Sequence, residues 1–194
     1  DTPVCLFSAS KIDPAMLIHL LNEQGQLNLL DPISHYIPEY AVNGKQRATI
    51  FHLLAHRGGI PRIDSQVTPE LLFDKHQILE QLYAARPVSA SGTHLAYHAV
   101  TAGYILGEII ERVTGQTARE FLAQNIEKPM GLDYFNYGLK PEYRADVALN
   151  YATGLHPSLG TDHYLGRVLG GGLQLAVDIT NDSRFMDTIC PAGN

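Results

Sequence analysis

Two residues near the start of the chain have the types and spacing for joint chemistry. Ser8 stands three positions before Lys11 in "FSASK". A serine hydroxyl is a weak nucleophile until a neighbouring base takes its proton. A lysine one helical turn further on lies on the same face as the serine. Beside apolar surface or other positive charge, a lysine gives up its proton more readily and serves as a neutral base. A serine at a helix N-terminus also gains backbone N–H groups and the helix dipole, which favour an oxyanion forming beside it. Ser-x-x-Lys at the head of a buried helix is thus sound machinery for acyl transfer. The same residues also read as the polar, solvent-facing start of an ordinary helix, and a short motif alone does not separate the two.

Other chemically capable residues offer less. His52 and His56 stand four apart on an expected helix, a spacing that suits zinc. No third ligand or adjacent Glu completes a zincin-like set, so both read as structural. Gly170 to Gly172 lack the Lys-Ser/Thr of a phosphate loop. Cys5 and Cys190, near opposite ends, read as two free thiols rather than a pair, with Cys5 packed as a small hydrophobe. No metal or organic cofactor is implied.

The segment that must carry Ser8 and Lys11 sets two local rules against each other. "DPAMLIHLLNEQG" reads as a helix ended by Gly25. It is apolar almost all round through Ala15, Met16, Leu17, Ile18, Leu20 and Leu21, which suits a helix buried mid-domain. Asp13-Pro14 is a good cap and first-residue pair, so local rules start that helix at Pro14. Starting it at Ser8 puts Pro14 in the second turn, which costs about 3 kcal/mol in a regular interior and less in a distorted first turn.

Downstream, "TIFHLLAHRGG" reads as a short helix capped by Thr49 and stopped at Gly58. "TPELLF" opens another, with Thr68 as cap and Pro69 at the first helical position, and "HQILEQLYAARP" stays helical until Pro87. Gly58, Gly59 and Gly92 read as turn glycines. The clearest helix is "AVTAGYILGEIIERVTG": Ala102, Ile105, Leu106, Ile109, Ile110 and Val113 form an apolar stripe with Glu108, Glu111 and Arg112 opposite, and Gly115 ends it. Thr117 and Glu120 form a capping box for "AREFLAQNI". After Pro129 the pattern loosens. "VLGGGLQLAVDI" reads as a Gly turn entering either a strand or a helix. Strand signal is scarce, so the chain is expected to be mostly helical.

With 45% hydrophobic and 18% charged residues over 194 positions, the chain has the balance of a folded domain with a sizeable core rather than a disordered segment. A net charge of −6 without a basic patch argues against nucleic acid as a partner. No apolar run reaches the length of a membrane span. The chain starts "DTPVCLF", without Met, and stops at "CPAGN". Both ends are expected to be cut from a longer protein.

The order of segments says more than any one of them. "FSASK" is followed by "LLAHRGGIP", "GTHLAYHAVTAGYILGEIIERVTG" and "FLAQNIEKPMGL". This series resembles the serine β-lactamase and penicillin-binding-protein superfamily, most of all the branch holding class C β-lactamases and β-lactamase-like carboxylesterases. The resemblance runs from Asp1 to about Leu139 and thins afterwards. It implies an α+β fold, two-lobed and β-lactamase/transpeptidase-like. Residues 1–194 would be a partial serine hydrolase domain of this kind, covering mainly the nucleophile helix and the helical lobe, with the sheet strands largely missing.

The resemblance also implies roles. Ser8 would be acylated, and Lys11 would help deprotonate it. A second family motif, Tyr-x-Asn, supplies a tyrosine that shuttles protons with the lysine. Here it reads "YHA", which gives Tyr97 that place and puts Ala99 where the Asn would be. On the residues alone, Tyr97 reads as a buried aromatic ahead of a helix, and His98 as structural. In members that process β-lactams the Asn amide helps hold the substrate's amide side chain, so its loss suits the esterase-like branch. The third motif, Lys-Thr-Gly or a His/Trp-containing relative on a later strand, is not in the chain, and Gly170 to Gly172 come too early for it. That strand normally donates one oxyanion N–H, and Ser8 the other. The expected activity is hydrolysis of a short-chain ester through an acyl-enzyme, with a small-molecule ester or amide as the partner. β-Lactam hydrolysis and D-amino peptidase action are the alternatives, and a catalytically inactive binding or scaffold relative is the rival from another class.

Overall fold

Ten consecutive residues from Thr101 to Ile110 are all buried, which makes their helix the axis of the fold. In the computed structural model, which describes residues 2–63, 68–153 and 173–187, the helices in chain order begin with α1 (Ile12–Glu23), α2 (Ile33–Tyr36) and α3 (Ile50–Leu54). They continue with α4 (Pro69–Phe73), α5 (Lys75–Ala84), α6 (Thr101–Thr114), α7 (Ala118–Leu122) and α8 (Lys128–Met130). Leu173–Asn181 (α9) and Ser183–Asp187 (α10) follow. Helix α6 packs against α1, α2, α3, α5 and α7. A helix touched on so many sides needs more than one apolar stripe. Small residues meet that need, since Ala102, Gly103 and Gly107 are buried beside Ile105, Leu106, Ile109 and Ile110.

Glu108 departs from the expected pattern. The pattern sets it opposite the apolar stripe, yet it too is buried, at 8% exposure. Helix α5 covers that side and brings Lys75 Nζ to 2.9 Å from its carboxylate, while Arg112 Nε donates to it at 2.8 Å. Burial alone would push this carboxyl up; the hydrogen bonds from Lys75 and Arg112 outweigh it and hold it below the usual range. Lys75 also pairs with Glu111, and Arg112 with Glu39. The charges of α6 thus clamp α5 and the segment around Glu39 to the central helix.

The caps follow the sequence closely. Thr117 and Glu120 form the expected capping box. Thr68 caps α4 with Pro69 at its first position, and Gly115 takes φ 70° at the end of α6. Two stretches end earlier than expected. Asp74 breaks the helix after Phe73 and caps α5, which stops at Ala84 rather than running to Pro87. Helix α3 stops at Leu54, well before Gly58, because His56 adopts φ 56° and cannot continue a right-handed helix. Beyond Leu122, the "AREFLAQNI" helix widens into a π-helical turn, Ala123–Glu127.

The conflict at the head of α1 is resolved by a change of helix type. Phe7–Lys11 is a 3-10 turn, and the α-helical register starts only at Ile12. Pro14 therefore falls in the first α-turn, where a missing N–H costs little. Leu17, Ile18 and Leu21 are fully buried, and Gly25 follows at φ 70°.

Among the described residues no strand forms; Pro32 and Thr49 make an isolated bridge, and Ala148 N–H donates to Pro3 O at 2.9 Å. The "LQLAVDI" stretch is helical, which settles its ambiguity, while Gly170 to Gly172 and Cys190 lie outside the described residues. No helix of the described residues is long and apolar enough to cross a membrane.

Candidate active site

In a 3-10 turn the side chains at i and i+3 eclipse. That geometry stacks Lys11 over Ser8, and Lys11 Nζ donates to Ser8 Oγ at 3.2 Å. Ser8 is exposed and Lys11 half-buried, so the pair faces outward with the lysine stem against the protein. The turn itself is pinned: Ser10, fully buried, donates from Oγ to Phe7 O at 2.6 Å. Phe7 sits at φ 49°, a left-handed conformation unusual for an aromatic residue, immediately before the serine. Cys5 packs against the core, and burial pushes its thiol up.

Tyr97 arrives from a loop laid along the turn after α3. Three backbone bonds fix the two segments: Val88 N–H to Gly59 O at 2.9 Å, Gly92 N–H to Arg57 O at 2.9 Å, and Ala96 N–H to His56 O at 3.0 Å. Gly59 has φ 89°, and a Cβ there would lie 2.5 Å from Ser89 O, so only glycine allows this approach. The Tyr97 ring, half-buried, ends with its centroid 5.3 Å from Lys11 Nζ. The structure therefore brings Ser8, Lys11 and Tyr97 to one place through Lys11.

The two histidines nearest this place have distinct partners. His98, 1% exposed, accepts from Ile60 N–H at Nε2 (3.2 Å) and lies 2.6 Å from Ala96 O through Nδ1. His56 accepts at Nδ1 from His98 N–H at 3.2 Å. Its ring meets Tyr97 edge-on at 4.9 Å and stacks on His98 at 5.9 Å. Burial pushes the His56 imidazole below its ordinary value, and the Lys11 charge adds to that. Burial also lowers His98, against the pull of the Ala96 carbonyl. A histidine within each of two motif segments, "HRGG" and "YHA", was the available signal for this pair, which sequence reasoning treated as two separate structural residues.

His52 does not join His56. It caps α3, accepting from Thr49 N–H at Nδ1 (3.3 Å), and the described residues contain no group of three or more His, Cys, Asp or Glu side chains placed to hold a metal. Ala99 is buried at 4% exposure. A separate pocket, lined by Pro3, Cys5, Tyr134, Asn136, Thr180 and Phe185 among others, includes none of Ser8, Lys11 or Tyr97.

An amine in contact with a serine hydroxyl, with a tyrosine ring beneath the amine, gathers in one place the residue types that a serine acyl-transfer centre uses. The family model described as Beta-lactamase matches residues 1–192, and the chain belongs to that family. "Esterase/beta-lactamase LipL" of Mycobacterium tuberculosis is 28% identical over 141 residues, covering 73% of this chain and 32% of the relative. A solved family VIII carboxylesterase is 29% identical with TM-score 0.84, over 100% of this chain and 52% of that one. A penicillin-binding-protein homologue from Caulobacter crescentus is 29% identical with TM-score 0.82, again over 100% and 52%. The fold is thus β-lactamase/transpeptidase-like, and the chain spans about a third of that curated relative's length and about half of each solved neighbour's.

Proposed function

We propose that this chain carries the acylation centre of a serine hydrolase acting on small esters. The contact of Lys11 Nζ with Ser8 Oγ, 3.2 Å across a 3-10 turn, carries the reading. With the amine neutral, the same contact runs in reverse and Lys11 takes the hydroxyl proton. Ser8 Oγ then bonds to the ester carbonyl carbon, and the carbonyl electrons move to oxygen. As they return, the bond to the leaving alkoxide breaks, and Tyr97 passes it a proton replaced from Lys11. Water attacks the acyl-enzyme, gives its proton back through the same relay, and releases the acid and free Ser8. The Ser8 N–H is one oxyanion donor in this scheme. The other comes from a sheet strand beyond these residues, residues 1–194 being part of a two-lobed α+β domain.

Ester rather than amide substrates are favoured by Ala99, since a methyl group offers no hydrogen bond to a substrate amide. The names of an esterase/β-lactamase and a carboxylesterase among the relatives agree with this. β-Lactam hydrolysis and D-amino peptidase action are the second reading, supported by the penicillin-binding-protein homologue. The test is intact-protein mass of the full-length protein after exposure to a fluorophosphonate, beside Ser8→Ala. One adduct on the parent and none on the variant supports an activated Ser8, and screening with esters and β-lactams then ranks the substrates. No adduct on a folded parent would replace the hydrolase with an inactive binding or scaffold relative.

A further inference from the structure

We propose that His56 and His98 form a neutral imidazole pair whose task is to position Tyr97 beside Lys11, and that protonation of His56 releases it. The catalytic consequence rests on the serine hydrolase reading; the positioning itself does not.

One residue grips three consecutive others. His56 holds Ala96 through its carbonyl (3.0 Å), His98 N–H through Nδ1 (3.2 Å), and the Tyr97 ring between them through an edge-on contact at 4.9 Å. Its left-handed backbone, φ 56°, turns the carbonyl and the ring toward the same segment. Tyr97 is thereby held on both flanks and through its ring.

The hydrogen bonds set the tautomers. Because His56 Nδ1 faces a donor, it carries no proton, which leaves the proton on Nε2. His98 has the opposite arrangement: Nε2 faces Ile60 N–H, so the proton sits on Nδ1 and is donated to Ala96 O. His98 is itself anchored, since Thr101 Oγ1 donates to Ile60 O at 2.6 Å. Adding a proton to His56 sets N–H against N–H, breaks the bond to His98 and places a second positive charge near Lys11. Among the described residues, the titratable groups facing His56 are Lys11, Tyr97 and His98, while the neighbouring Arg57 turns away to Gly92 O at 3.0 Å. None of them is a carboxylate that would favour the imidazolium, and burial together with Lys11 opposes it. The pair therefore stays neutral at neutral pH and is released in acid, below the ordinary imidazole value of 6.5.

His56→Asn and His56→Ala separate positioning from folding. Asn offers Oδ1 where Nδ1 was, tolerates a left-handed backbone better than most residues, and does not titrate. Ala removes the acceptor. In the full-length protein, NMR is expected to show His56 protonated on Nε2 at neutral pH, with Tyr97 ring signals that shift as His56 titrates. Those shifts should vanish in H56N. With p-nitrophenyl butyrate, the parent's log(kcat/KM) should steepen by one further proton in acid, and H56N should lack that step. H56A should lose on the order of tenfold in kcat with KM little changed, and H56N should recover most of the loss. A His56 proton on Nδ1, or Tyr97 signals indifferent to the His56 titration, would overturn the proposal whether or not Ser8 is labelled. Coupled Tyr97 signals in a protein that a fluorophosphonate does not label would uphold the positioning pair and remove only the hydrolase.

Discussion

Lys11 Nζ lies 3.2 Å from Ser8 Oγ because the turn joining them is 3-10 and not α. The tighter turn eclipses i and i+3. The same turn defers the α-helix to Ile12, so one local adjustment both aligns the pair and accommodates Pro14. If Lys11 is the base, Lys11→Ala should lower kcat for ester hydrolysis by roughly 10²–10⁴-fold while leaving the circular dichroism spectrum unchanged. Lys11→Arg should not restore activity, because guanidinium stays protonated. Rates of the Arg variant within a few-fold of the parent would remove Lys11 from the proton path.

Tyr97→Phe isolates the phenol. The ring keeps its contacts with His56 at 4.9 Å and Lys11 at 5.3 Å, so stability should change by less than about 1 kcal/mol. Loss of the proton relay should lower kcat by roughly 10²-fold or more. Thermal melting beside steady-state kinetics checks this. A Phe variant with parental kcat would reduce Tyr97 to a packing residue.

The parts of this architecture written in local chemistry were the parts legible in the sequence. Thr117 with Glu120, Thr68 with Pro69, and Gly25 and Gly115 each act within a few residues of their own position, and each stands where the pattern placed it. Ser8 and Lys11 were visible for the same reason. Glu108 was misplaced because its burial depends on Lys75, which reaches it from α5. The His56–His98 pair is likewise joined only by folding, across 42 positions. The helix end at Leu54 was missed because the turn after it answers to the Tyr97 loop, which donates to His56 O and Arg57 O, and the end at Ala84 because Asn43 and Lys45, from earlier in the chain, donate to the Tyr83, Ala84 and Ala85 carbonyls.

Gly59 tests how far the turn after α3 controls the site. Its φ of 89° and the 2.5 Å approach of a Cβ to Ser89 O forbid a side chain without movement of the loop. Gly59→Ala should cost about 2–3 kcal/mol in chemical unfolding, more than the usual penalty of a left-handed alanine alone. Because that loop delivers Tyr97, kcat should fall along with stability. Full stability in the Ala variant would show that the loop yields freely and is not what holds Tyr97 in place.

Asp13 carries a cost that pH should reveal. It lies in the first turn of α1, where the helix dipole favours a negative charge, yet it is 4% exposed and its Oδ1 accepts no hydrogen bond. Burial wins, pushing the carboxyl from 3.8 up to about 6. A carboxyl raised on folding binds its proton more tightly in the native state, so its penalty is present in full above pH 6 and fades as pH falls toward 3.8. Asp13→Asn keeps the shape without the charge. The variant should exceed the parent by about 1–3 kcal/mol at pH 7.5, and the difference should close by pH 4. Urea unfolding of both proteins at the two pH values measures this, and taking the difference cancels every other titrating group. Equal stability at pH 7.5 would mean that the carboxylate is solvated or partnered after all, and that the head of α1 is less closely packed than its geometry indicates.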